Sequence, residues 1–397
     1  MLGNDARCYF LWGRGMTDFP PGICHDKWRA VPRQPDADIF YIHCTGGFRG
    51  AKVSDDHWQI EPVFEYGEAR SKGFLTDAQL RQIVRIGKFR VLGFQSSGWF
   101  DGVWHSSWRP IIPTERNHAR SPSDIWSAIS SNLFRTTRTQ QLKELKVADH
   151  SKVATILDNR TVEERLAQAI SLSLRSMDVA VEQIAEYYHE QLVNKMYKGN
   201  VDGQRSSNTM DQTLFAHVHA FFLQLGAARD YLAAFIANRL GMNASHGKVD
   251  TMNALKSKLR GQHMGREPIL DLLIEKNWLV SQAGSPDTWT TSGWLKEITD
   301  LRNEIVHRRP YGSVYAERFG WAMPVCAELG LYRYFRPIEI KSQSECDLLD
   351  VICSHYRTCT GLFFESAKAA GLDGSMMTLT DADIVSLQEI HRPSTDQ

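Results

Sequence analysis

The chain has 397 residues, 42% of them hydrophobic, and 46 basic side chains against 46 acidic ones. That length favours two domains and leaves ample material for a hydrophobic core. A net charge of zero excludes a protein that coats nucleic acid or an anionic membrane through bulk electrostatics, although a local basic site stays open.

Seven cysteines, an odd number in a chain this long, form no disulfide framework and fit a reducing compartment. Residues 1–15 (MLGNDARCYFLWGRG) lack the apolar run of a secretory signal. No apolar run approaches the length that spans a bilayer, the best being Tyr231 to Ala237. A cytoplasmic location without membrane partners is expected.

Residues 1–146 hold seven of the eleven tryptophans, with many Gly and Pro. Short β-type runs recur between turn residues: Ile39–Ile42, Trp58–Ile60, Val63–Tyr66 and Phe89–Phe94. Thr76-Asp77 caps a helix with Leu80, Ile83 and Ile86 on one face. Ser121-Pro122 starts another, Ser as N-cap and Pro as first residue. This region reads as a small α+β domain of unassigned fold. Its Trp99–Trp108 stretch either packs as core, or stacks bases or binds a small ligand.

Residues 147–397 read as helical. Thr161 and Glu164 have capping-box spacing. Ile170, Leu174, Met177, Val181, Ile184, Tyr188 and Leu192 then form one stripe that stops at Gly199. A second stripe runs through Leu214, Val218, Phe221, Leu225, Ala228, Leu232 and Phe235 to Gly241. A short helix begins at Pro268, another at about Ser292, and a last long one spans about Ser342 to Ala370, with Cys346, Cys353, His355 and Cys359 in it. A short tail helix is expected at Asp381–Gln388. The expected fold class is mainly α, a helical bundle preceded by the smaller α+β domain.

The segment Trp294 to Gly312 carries the chemistry. Trp294, Ile298, Leu301 and Ile305 make its buried stripe, and Pro310 ends the helix. His307 falls in the last turn, where it can exchange protons near neutral pH. Arg302 can grip a phosphate and stabilise charge growing on it. Five residues apart on an α-helix, the two stand about 140° from each other. They converge only if the helix end unwinds or a second copy completes the site. With Asn303, these are sufficient parts for RNA cleavage without metal, in which the 2′-hydroxyl attacks and leaves a 2′,3′-cyclic phosphate and a 5′-hydroxyl. Around them the neutral total hides a basic cluster: Arg302, His307, Arg308 and Arg309, with Glu304 the one acid among them.

Arg302-Asn303-Glu304-Ile305-Val306-His307 resembles the Arg-x4–6-His signature of the HEPN superfamily, in its Arg-Asn-x-x-x-His form. The resemblance covers about Thr161 to Gly312 in architecture. It implies an antiparallel helical bundle with the motif near the end of a late helix. It also implies a homodimer in which two motifs face one cleft. Many members are metal-independent endoribonucleases of toxin–antitoxin, abortive-infection and other defence systems, with an antitoxin or other partner protein. Others serve as RNA-binding or scaffolding modules. On this resemblance Arg302 stabilises the phosphate, His307 is the general acid/base and Asn303 orients. Arg308, Arg309 and Tyr311 are the candidate RNA contacts. One subfamily has a modified Tyr two residues after the His; here that position is Arg309, and Tyr311 lies four residues after His307.

Other constellations carry less. Cys24-His25 and His43-Cys44 offer zinc-type atoms, but neighbours on a strand point apart, so no metal and no cofactor are expected. His217 and His219 lie on different helix faces. Gly46-Gly47-Phe48-Arg49-Gly50 lacks the Lys-Ser/Thr end of a phosphate loop.

Overall fold

The computed structural model describes residues 39–54, 57–62, 74–100, 102–112, 120–144, 150–242, 248–282, 285–327, 330–340 and 346–376. The Cys24-His25 pair, the Val63–Tyr66 run and the Asp381–Gln388 helix lie outside them. Two compact units are interleaved along the sequence. The first takes the residues up to Ser121, then Leu174–Gly226 and Ser292–Phe363; the second takes Pro122–Ser173, Ala227–Thr291 and the residues from Phe364.

The first unit contains a six-stranded antiparallel sheet of β1 (Ile39–Cys44), β2 (Arg49–Ser54), β3 (His57–Glu61), β4 (Phe74–Thr76), β5 (Val91–Phe100) and β6 (Val103–Pro110), in the order β4-β3-β2-β1-β5-β6. Helix α1 (Asp77–Ile86) joins β4 to β5, and Thr76 and Gln79 cap it reciprocally. The period-two alternation of β1 divides its side chains. Ile42 and, past a register shift, Cys44 enter a core with Phe48, Trp58, Ile60, Leu75, Leu80, Ile83 and Phe89.

The other face of the sheet is polar. Arg49 donates to Glu61 (2.7 Å) and Glu186 (3.2 Å), and His43 Nε2 lies 2.9 Å from Gln95 Oε1. His189 Nδ1 lies 2.9 Å from the Gly47 carbonyl. Gly47, at φ 83°, touches helix backbone: a Cβ there would lie 2.5 Å from the Tyr188 carbonyl oxygen. Burial, followed by the Arg49 charge, pushes the His43 imidazole down to about 3. The same causes, in the same order, hold His189 well below its ordinary value.

The second unit begins with α2 (Pro122–Glu144) and α3 (His150–Asp158). Trp126 is fully buried, edge-on to Phe235 at 5.2 Å. Helix α4 (Val162–Tyr197) starts here behind the expected capping box: the Glu164 amide donates to Thr161 Oγ1 (3.2 Å) and the Thr161 amide to Glu164 Oε2 (3.3 Å). Glu164 also pairs with buried Arg138. Helix α5 (Asp211–Arg239) contributes to both units. α6 (Met252–Lys258) and α7 (Pro268–Glu275) follow, then a hairpin of β7 (Leu279–Gln282) and β8 (Ser285–Thr291).

Both long stripes are buried as expected, each named residue being at most 2% exposed. By length and composition α5 could cross a membrane, yet 67% of its most apolar window is buried inside the fold. The first unit closes with α8 (Gly293–Asn303), strands β9 (Trp321–Cys326), β10 (Leu331–Phe335), β11 (Pro337–Ile338) and β12 (Cys346–Asp347), and most of α9 (Leu348–Ala369). Strands therefore recur in the second half of the sequence, and the architecture is mixed α+β rather than mainly α. Cys346, expected on the last helix, stands on β12 instead, because Asp347 turns to accept the Arg336 amide (3.0 Å) before α9 begins. Cys353 and Cys359 pack in the core as small apolar groups.

Candidate functional site

Helix α8 is amphipathic. It buries Trp294, Leu295 and Ile298, while Leu301, expected in the same stripe, is only half-buried. Trp294 Nε1 donates to His355 Nδ1 (3.2 Å), which ties α8 to α9 inside the first unit. After Asn303 the chain does not keep α geometry. Glu304–Arg308 form a π turn, closed by the Arg309 amide on the Glu304 carbonyl at 2.7 Å. Such turns are rare and hold one more residue than an α turn, so residues five apart come nearly above one another.

That widening brings the two candidate reactive groups together within one chain. Arg302 Nη1 lies 2.7 Å from His307 Nε2 and donates to Asn303 Oδ1 at 3.1 Å. A guanidinium only donates, so Nε2 is the acceptor and the neutral imidazole carries its proton on Nδ1. His307 is exposed and Arg302 half-buried. Arg302 Nε is buried without a hydrogen bond among the described residues. Thus one nitrogen of the guanidinium is buried against protein and another holds His307 and Asn303.

The basic cluster around this pair is smaller than the sequence suggests. Arg308 is exposed, with Nη1 3.8 Å from Glu304 Oε2. Arg309 donates to the Glu339 carboxylate (2.7 Å) and carbonyl (2.6 Å), and its Nε lies 3.7 Å from Glu304. Tyr311, expected among the RNA contacts, is 5% exposed and donates its hydroxyl proton to the Pro337 carbonyl (3.0 Å). It anchors the segment after the π turn and presents no face to a ligand. The Gly312 amide donates to Glu317 (2.9 Å), and fully buried Arg336 donates to Asp211 (2.8 Å) and the Glu317 carbonyl (2.9 Å). These bonds fix the far end of the motif.

Among the described residues no group of three His, Cys, Asp or Glu side chains is placed to hold a metal. His43 and Cys44 point to opposite faces of β1, as adjacent strand residues must. The tryptophan-rich hairpin of β5 and β6 divides between its two readings: Trp108 is buried and donates to the Tyr356 hydroxyl (2.8 Å), and Trp99 is 58% exposed.

Two features had escaped the sequence reading. The polar sheet face joins residues from distant segments, and its only local signal is the Glu182, Glu186, His189 spacing on α4. The other is Gly226 on α5, which lies against Arg302. No protein-family model, curated protein or solved structure matches the chain.

Proposed function

We propose that the protein is a metal-independent endoribonuclease with Arg302 and His307 as its reactive pair. The observation that carries this reading is the 2.7 Å contact between Arg302 Nη1 and His307 Nε2 at an exposed helix end. When RNA enters, Arg302 Nη1 turns from His307 Nε2 to a phosphate oxygen, and the lone pair freed on Nε2 takes the proton of a ribose 2′-hydroxyl. That oxygen attacks the adjacent phosphorus, and Arg302 holds the phosphate and the charge that grows on it. The P–O5′ bond breaks, and the imidazolium returns its proton to the departing 5′-oxygen. The products are a 2′,3′-cyclic phosphate and a 5′-hydroxyl. Asn303 steadies the guanidinium.

The resemblance of Arg302–His307 to the HEPN motif supports a homodimeric RNase of a toxin–antitoxin, abortive-infection or other defence system. A second reading, a non-catalytic RNA-binding or assembly module, is favoured by the neutralisation of Arg309 at Glu339 and by the burial of Tyr311. Digestion in excess EDTA separates the two. The enzyme cuts single-stranded RNA and leaves DNA of the same sequence intact, because DNA lacks the nucleophile. Intact RNA, or cut DNA, overturns the enzymatic reading.

A further inference from the structure

Gly226 lies inside helix α5, buried and without a positive φ. Glycine is disfavoured there relative to alanine, and neither a turn nor a cap requires it. Arg302 supplies the reason. A Cβ at position 226 would lie 2.9 Å from Arg302 Nε, 3.3 Å from its Cγ and 3.4 Å from its Cδ. These three nearest atoms all belong to one side chain. The bare backbone of Gly226 is the floor on which the arginine lies, which is why Nε is buried without a hydrogen bond among the described residues.

We propose that Gly226 is a positioning residue for Arg302. Its missing side chain lets the guanidinium settle against α5 at the depth that puts Nη1 within reach of His307 Nε2. The proposal rests on the reading of Arg302 and His307 as the reactive pair. The side chain that a new methyl meets is flexible, so the protein folds and the arginine gives way.

The test compares full-length wild type, Gly226→Ala, Arg302→Ala and the double variant. It reads the ring carbon resonance of His307 through a pH titration, assigned by its loss in His307→Ala, together with thermal midpoint and RNA cleavage. Gly226→Ala moves the His307 resonance in the direction that Arg302→Ala moves it. It lowers kcat about tenfold, the effect of losing one charge-assisted contact, and changes KM less. With Arg302 already removed, the same substitution leaves His307 unmoved and raises the midpoint, since only the gain in helix propensity remains. An unmoved His307 resonance in Gly226→Ala overturns the proposal, whether or not RNA is cut. A moved resonance in a protein that never cuts RNA overturns the enzymatic reading and leaves the positioning role standing. If Gly226→Ala does not fold, recovery of folding in the double variant supports the contact, and failure of both overturns it.

Discussion

Arg302 and His307 are five residues apart, yet their nitrogens meet at 2.7 Å. On an α-helix they would face about 140° apart. The π turn at Glu304–Arg308 narrows that separation, and the long arginine side chain spans the rest without a second chain. The contact is therefore made within one chain.

The two neighbouring arginines differ: Arg308 is exposed with one long ion pair to Glu304, and Arg309 is tied to Glu339. Arg308→Ala lowers RNA affinity a few-fold, roughly, near physiological salt and reduces the salt slope by about one, with little change in thermal midpoint. Arg309→Ala costs stability, because it releases the end of the π turn from Glu339. Tyr311→Phe costs about 1 kcal/mol of stability and leaves RNA affinity unchanged. Fluorescence anisotropy at several salt concentrations, with thermal melts, separates the three. An affinity loss in Tyr311→Phe equal to that in Arg308→Ala contradicts this division.

A buried chain of hydrogen bonds runs from Trp108 Nε1 to the Tyr356 hydroxyl (2.8 Å) and on to Asp178 Oδ1 (2.5 Å). Tyr356→Phe deprives an indole N–H and a carboxylate of a buried partner. It destabilises by about 2–4 kcal/mol in urea denaturation, while the specific activity of the folded fraction is retained. A loss below about 0.5 kcal/mol contradicts the role given to this chain.

His43, His189 and His355 are buried, and burial disfavours their charged form. Burial pushes His355 down to about 4; burial and then Arg49 push His43 down to about 3 and hold His189 well below 6.5. In the unfolded chain each takes a proton below about 6.5. Between that value and the folded ones the unfolded state binds more protons, so stability rises with pH there and is lost on acidification. Above about 6.5 these groups contribute no slope. The thermal midpoint falls from pH 6.5 to pH 4, and less steeply in His43→Gln. Equal slopes in the two proteins contradict the assignment to His43.

Much of the helical part was legible because each long helix buries a single stripe. Ile170 to Leu192 and Leu214 to Phe235 carry their pattern in local order, and Thr161 with Glu164 marks a helix start. The small strands were not legible. β7 and β8 are short and mostly exposed, and β9 holds a proline, so tertiary context rather than pattern makes them strands. At the site, residue types could be read and distances could not. The contact of Arg302 with His307 depends on a π turn that no local signal marks, and on Gly226 some 76 residues earlier. Tyr311 was named as an RNA contact from its place beside the basic motif, and its burial and its bond to the Pro337 carbonyl depend on a segment 26 residues away.

Metal-free RNA cleavage by Arg302 and His307 leaves a chemical signature on the RNA ends. The most direct measurement maps the ends of RNA incubated with purified protein in EDTA, for wild type, Arg302→Ala and His307→Ala of matched thermal midpoint. Wild type is expected to give 2′,3′-cyclic phosphate and 5′-hydroxyl ends, and either variant no new ends. The same ends from His307→Ala, or 3′-hydroxyl and 5′-phosphate ends from wild type, would contradict this chemistry.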